Sequence, residues 1–126
     1  GICLGMQLLF ERSYEFGIYK GLGLINGDVI KFNKSQMEFN EKIPHIGWNT
    51  IRIIKKNPLF ENLDNPYLYF VHSYHIKTSK ENIIGTTNYG YEFTSAINHK
   101  NIYGIQPHPE KSHNNGLEIL KNFIRL

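Results

Sequence analysis

The chain has 126 residues, 40% of them hydrophobic and 13% aromatic, with a formal net charge of +3. One packed core fits this length and composition, and a disordered chain does not. The lysines are scattered, no apolar run reaches the length of a membrane span, and the first residues do not resemble a signal peptide, so nucleic-acid binding and membrane insertion have no support.

In chain order, Leu4 to Arg12 reads as a short helix. Gly17, Gly21, Gly23 and Gly27 then mark a loop. Asp28 to Phe32 is a strand candidate, and Pro44-His45-Ile46-Gly47-Trp48-Asn49 a turn-rich segment leading into a strand over Thr50 to Ile54. Leu59 to Leu63 suggests a brief helical turn ended by Pro66. Tyr67 to Ile76 alternates and is rich in aromatics, the strongest strand signal present. Strands follow over Ile83 to Thr87 and Phe93 to Asn98, joined by a turn at Asn88-Tyr89-Gly90, then a hairpin connection at Asn98 to Asn101 into Ile102 to Gln106. A last helix carries Leu117, Leu120, Phe123 and Ile124 as an apolar stripe, with Asn114 or Asn115 as its cap. This order predicts a single α/β layer with an antiparallel part.

Cys3 is the only cysteine, so no intrachain disulfide can form, which fits a reducing cytoplasm. A lone cysteine is most often a small buried hydrophobe. Here Gly1 and Gly5 flank it at i−2 and i+2, as a sharp nucleophile elbow would require, and helix-forming residues follow. Their first N–H groups would lower the thiol pKa, with the Leu4 N–H as the local oxyanion donor.

At the other end, His108 lies between Pro107 and Pro109, with Glu110 two positions on. Each proline fixes its own φ and Pro109 restrains the residue before it, so the imidazole sits in a stiff loop suited to a general base. Glu110 would orient that imidazole and stabilise its cation. The three groups Cys3, His108 and Glu110 point to acyl transfer through a cysteine.

Metal binding is the competing use of histidine. His72 and His75 lie three apart in one predicted strand and would face opposite sides, so a zinc site is not expected. His45, His99 and His113 read as surface or locally satisfied residues. Trp48 is either a core anchor or an interface residue.

Taken together, Gly1 to Gln7, Pro44 to Asn49, Tyr69 to Tyr74 and Gly104 to Ser112 resemble class I (triad) glutamine amidotransferases, most nearly the glutaminase subunits of imidazole glycerol phosphate synthases. The resemblance covers nearly the whole chain. It implies a flavodoxin-like layered sheet with helices and a Cys-His-Glu triad that hydrolyses glutamine to glutamate and ammonia without a cofactor. Gln7, Ser73 and Tyr74 match the glutamine-binding segment. Trp48, Asn49, Tyr74 and Lys111 match positions that face a cyclase subunit with a (β/α) barrel, to which the ammonia passes.

In that family a strand and a glycine-rich oxyanion loop precede the elbow, whereas only Gly1 and Ile2 precede Cys3. The expectation is therefore that residues 1–126 form the C-terminal portion of one amidotransferase domain. Pro107 stands where the family usually has an aromatic residue. His75 and Phe93 to Ala96 also resemble paralogues that supply ammonia for amidino-sugar synthesis. A partner-binding module without turnover and a cysteine peptidase of related fold are the other readings. Gln7 and the Pro44 to Asn49 segment favour the amidotransferase over the peptidase.

Overall fold

The β-branched and aromatic runs of this chain pair into a mixed sheet with few helices, in a computed structural model that describes residues 1–126. The strands are β1 (Phe10–Ser13), β2 (Tyr19–Lys20), β3 (Ile25–Lys31), β4 (His45–Thr50), β5 (Arg52–Ile53), β6 (Tyr67–His72), β7 (Tyr74–Thr78), β8 (Ile83–Asn88), β9 (Glu92–His99) and β10 (Ile102–Ile105). The helices are α1 (Leu4–Gln7) and α2 (His113–Ile124). The main sheet runs β2-β1-β3-β7-β9-β8-β5, with β10 also paired to β9, and β4 and β6 form a separate antiparallel ribbon. Most pairings are antiparallel; β1 with β3, and the bridge between Ile2 and Ile105, are parallel. No helix is long and apolar enough to cross a membrane.

Strand β9 lies between neighbours and buries Phe93 through Ile97 without alternation, as a strand covered on both faces does. In β6 the period of two survives, with Leu68, Phe70 and His72 buried and Tyr67 and Val71 outward. The larger apolar cluster gathers Phe32, Ile51, Leu68, Phe70, Phe93, Ile105 and Ile119; a smaller one joins Met6, Phe10, Ile25, Val29, Ile76 and Ile97. Burying each such side chain contributes about 1.5–3 kcal/mol.

Several expectations change. The helix after Cys3 ends at Gln7, and Phe10 to Arg12 are strand, because Phe10 is drawn into the smaller core beside Ile25 and Val29. His45 to Asn49 are strand rather than turn, each paired across to β6 from His45↔His72 to Asn49↔Leu68.

The long strand expected over Tyr67 to Ile76 breaks at Ser73. That break cancels the alternation, so His72 and His75 both pack on Phe32, with ring centroids 5.2 Å and 4.8 Å from it.

In α2 the buried positions are Gly116, Ile119 and Asn122, while Leu117, Phe123 and Ile124 are exposed. The helix is turned by two specific contacts: Gly116 lies against the Pro109 carbonyl, and Asn122 donates to the carbonyls of Leu59 and Glu61.

Candidate active site

Cys3 sits on a sharp turn with φ 49° and ψ −112°, a conformation that costs a non-glycine residue about 1–3 kcal/mol. Hydrogen bonds on both sides hold the turn: Cys3 N–H donates to Ile105 O at 2.8 Å, and Ile105 N–H donates to Gly1 O at 2.9 Å. A Cβ at Gly1 would lie 2.5 Å from Gly5 O and 2.6 Å from Met6 N, so the first turn of α1 folds back over Gly1 and only glycine fits. The same argument fails for Gly5, where a Cβ would meet nothing within 4 Å.

The His108 loop is built as the prolines suggest and latched by Ser112. Its buried hydroxyl donates to His108 O at 2.5 Å and accepts from Tyr69 N–H at 2.9 Å. His108 N–H donates to Tyr69 O at 2.9 Å. Residues Pro109–Lys111 form a 3-10 turn that returns Glu110 to the imidazole, and His108 Nδ1–H donates to Glu110 Oε1 at 2.6 Å. That bond places the proton on Nδ1 and leaves Nε2 free to act as a base.

Both loops leave the same end of the paired Ile2 and Ile105, and both dock on β6. The Cys3 thiol points to Val71 O at 3.9 Å, two residues from the Tyr69 carbonyl that holds His108. Two strand residues span roughly 6.6 Å, so the thiol and the backbone of the His108 loop are anchored on the same stretch of β6.

The electrostatics differ from expectation. Burial pushes the Cys3 thiol above its ordinary range, outweighing the Leu4 N–H and the Gln106 amide that favour the thiolate; Glu110 and Glu15 push it further up. One turn of helix is too short a dipole to win against desolvation. A thiol held up in this way attacks only once a base takes its proton.

A cavity of about 180 Å³ opens beside the sulfur, lined by Cys3, Leu4, Gln7, Glu15, Val71, His72, Ser73 and Tyr74. It brings Gln7, Ser73 and Tyr74 beside the Cys3 thiol. It is smaller than the pockets of about 300–1,000 Å³ that take drug-sized ligands, and suits a compact amino acid. Gln7 spends its Nε2 hydrogens on Tyr74 O (3.1 Å) and Gln106 Oε1 (3.2 Å), so its Oε1 is free to accept from a ligand.

Trp48 lies on the outer face of the β4–β6 ribbon, 37% exposed and stacked on His113 at 5.1 Å and Tyr67 at 5.7 Å. Asn49, the next strand residue, turns inward: its amide donates to Asn88 O and to His45, and its Oδ1 accepts from Thr50 N–H. Lys111 is exposed at the end of the 3-10 turn. No group of three or more His, Cys, Asp or Glu side chains is placed to hold a metal ion.

Two features go beyond what the sequence suggests. Gln106, fully buried, donates to Cys3 Sγ at 3.6 Å. His45, read as a surface or locally satisfied residue, is 2% exposed and hydrogen-bonded to the distant His72 at 2.9 Å. The glutamine two residues before His108 is a visible signal for the first; nothing local signals the second.

The family profile described as glutamine amidotransferase class-I matches residues 1–126. The chain belongs to that family. Among class-I glutamine amidotransferases it is 62% identical to the imidazole glycerol phosphate synthase subunit HisH of Sulfurimonas denitrificans, over 99% of this chain and 61% of that protein. It is 53% identical to the HisH subunit of Methanocaldococcus jannaschii, over 100% of this chain and 62% of that one. The chain thus spans about three-fifths of the length of the curated relatives it matches. A solved structure of a GMP synthase subunit from Thermoplasma acidophilum superposes with a TM-score of 0.68 at 23% identity, over 99% of this chain and 54% of that one, and shares the amidotransferase fold.

Proposed function

We propose that this chain carries the glutaminase centre of an imidazole glycerol phosphate synthase, hydrolysing glutamine to glutamate and ammonia. The observation that supports it most is a strained cysteine lining a cavity sized for an amino acid, with a Glu110-oriented histidine whose loop is held on the same strand, β6. The relatives' shared name supplies the pathway.

In this mechanism Nε2 of His108 takes the thiol proton as Sγ attacks the carboxamide carbon. The oxyanion accepts from the Leu4 N–H, which already points at the sulfur. His108 returns the proton to the departing nitrogen, so the C–N bond breaks, ammonia leaves and a glutamyl thioester remains. Water, deprotonated by His108, then cleaves the C–S bond and releases glutamate with the thiol restored. Glu110 holds the imidazole in one tautomer and stabilises its cation.

The partner in this reading is a cyclase subunit with a (β/α) barrel fold, which takes the ammonia. Trp48 and Lys111 on the ribbon side present outward side chains to it, and Asn49 supports that surface from within. The test is glutamate release from glutamine by the protein with its synthase partner, wild type against Cys3→Ala. Loss by about 10⁴-fold or more is expected; equal release by the variant refutes the reading.

A further inference from the structure

Apart from the triad, the structure contains a series of polar groups, buried except at its two ends and joined through the Tyr74 backbone carbonyl, whose donors and acceptors can be assigned without choice. His72 Nδ1 lies 2.8 Å from Tyr74 O, which can only accept, so His72 carries its proton on Nδ1. Its Nε2 must then accept, and the partner at 2.9 Å is His45 Nδ1, which therefore also bears a proton. His45 Nε2 in turn accepts from the Asn49 amide at 3.3 Å. From Tyr74 O the series continues through Gln7 Nε2 (3.1 Å), Gln106 Oε1 (3.2 Å), and Gln106 Nε2 to Cys3 Sγ (3.6 Å). His45, His72, Gln7 and Gln106 are all at most 7% exposed.

We infer that this chain, Asn49–His45–His72–Tyr74 carbonyl–Gln7–Gln106–Cys3, positions the nucleophile and its pocket from the β4–β6 ribbon, with Gln106 as a further donor to the sulfur. The inference rests on Cys3 being the nucleophile proposed above. Three physical points carry it. First, two buried imidazoles in contact are tolerated only as a neutral donor–acceptor pair, and burial pulls His45 down to about 4 and His72 to about 3. Second, the Tyr74 carbonyl accepts from His72 on one side and Gln7 on the other, and Gln7 in turn fixes the Gln106 amide, so the Gln106 N–H is aimed at the sulfur and not averaged over rotamers. Third, an N–H at the sulfur favours the thiolate, which is the form that attacks. The ionisable groups around the sulfur are Glu15, Glu110 and His72; around the two imidazoles they are His75, His108 and Tyr89.

The inference is tested on the intact protein in two independent ways. The first is ¹⁵N spectroscopy of the wild-type imidazoles: His45 and His72 are both expected in the Nδ1–H form, and an Nε2–H form at either residue overturns the series. The second is alkylation of Cys3 by iodoacetamide as a function of pH. Gln106→Met keeps the volume and removes the donor, and is expected to raise the midpoint of the curve by about one pH unit, with kcat for glutamate release falling more than KM for glutamine rises. An unchanged midpoint overturns the role of Gln106.

His72→Asn, whose Nδ2 retains the donor at Tyr74 O, is expected to keep more activity than His72→Leu; equal losses overturn the role of His72. The spectra need no variant, so they decide even if Gln106→Met does not fold. Alkylation reads the sulfur without glutamine, so a wild type that reacts with iodoacetamide but releases no glutamate would sink the proposed function and leave the series standing.

Discussion

Gly116→Ala should damage the site from outside it. A Cβ at this position would lie 1.8 Å from Pro109 O and 2.7 Å from Pro109 C, both backbone atoms of the turn that carries His108 and Glu110. Relieving the overlap to 3.0 Å requires α2 and the turn to separate by about 1.2 Å. Helix propensity alone would favour alanine over glycine by about 1 kcal/mol. Overpacking against backbone costs about 1–3 kcal/mol and wins. The movement also spreads to the imidazole, and a displacement of that size near reacting groups can cost about 10²-fold in rate. Urea unfolding together with glutamate release by the protein and its synthase partner measures both effects. A variant as stable and as active as wild type would refute the close packing of α2 on the His108 turn.

Ser112→Ala removes a hydroxyl that joins Tyr69 N–H to His108 O, so a loss of about 1–3 kcal/mol is expected by urea unfolding, with a fall in kcat. Cys3→Gly should abolish glutamate release yet raise stability, because glycine adopts φ 49° without penalty; the expected gain is about 1–3 kcal/mol, and a destabilised variant would contradict the strain. For acid, the sign follows from depressed imidazole pKa values. The unfolded chain takes up protons below about pH 6.5, whereas His45 and His72 in the folded chain refuse them down to about 4 and about 3. Stability is therefore fully present above pH 6.5 and falls through that window by up to about 1.4 kcal/mol per pH unit for each histidine. Unfolding curves at neutral and acid pH check this, and the double variant His45→Gln/His72→Asn should flatten the slope.

Several parts of the site are legible because their chemistry is local. Cys3 beside Gly1, the proline-flanked His108, and Glu110 two residues later are short-range patterns whose backbone restraints act within a few residues, and the structure shows the elbow and the His108–Glu110 bond they imply. Strand character over Tyr67 to Ile76 and Phe93 to Asn98 is equally plain, apart from the break at Ser73, since β-branched and aromatic residues in series leave few alternatives.

What sequence could not decide was whatever depends on packing between distant segments. Phe10 reads as helix from its neighbours and becomes strand because Ile25 and Val29 offer it a core. The break at Ser73, which turns His72 and His75 toward the same Phe32 ring, leaves no periodic trace.

The Cys3 thiol shifts opposite to expectation for a related reason: a helix start is visible in sequence, but the burial that outweighs it is supplied by the surrounding fold. Residue identity determined which groups could do chemistry and how stiffly each loop holds them. Tertiary structure alone decided which of them are dry, because desolvation is set by everything that packs around a group, and so it also decided that His45 and His72 are buried against each other and Gln106 against the Cys3 sulfur.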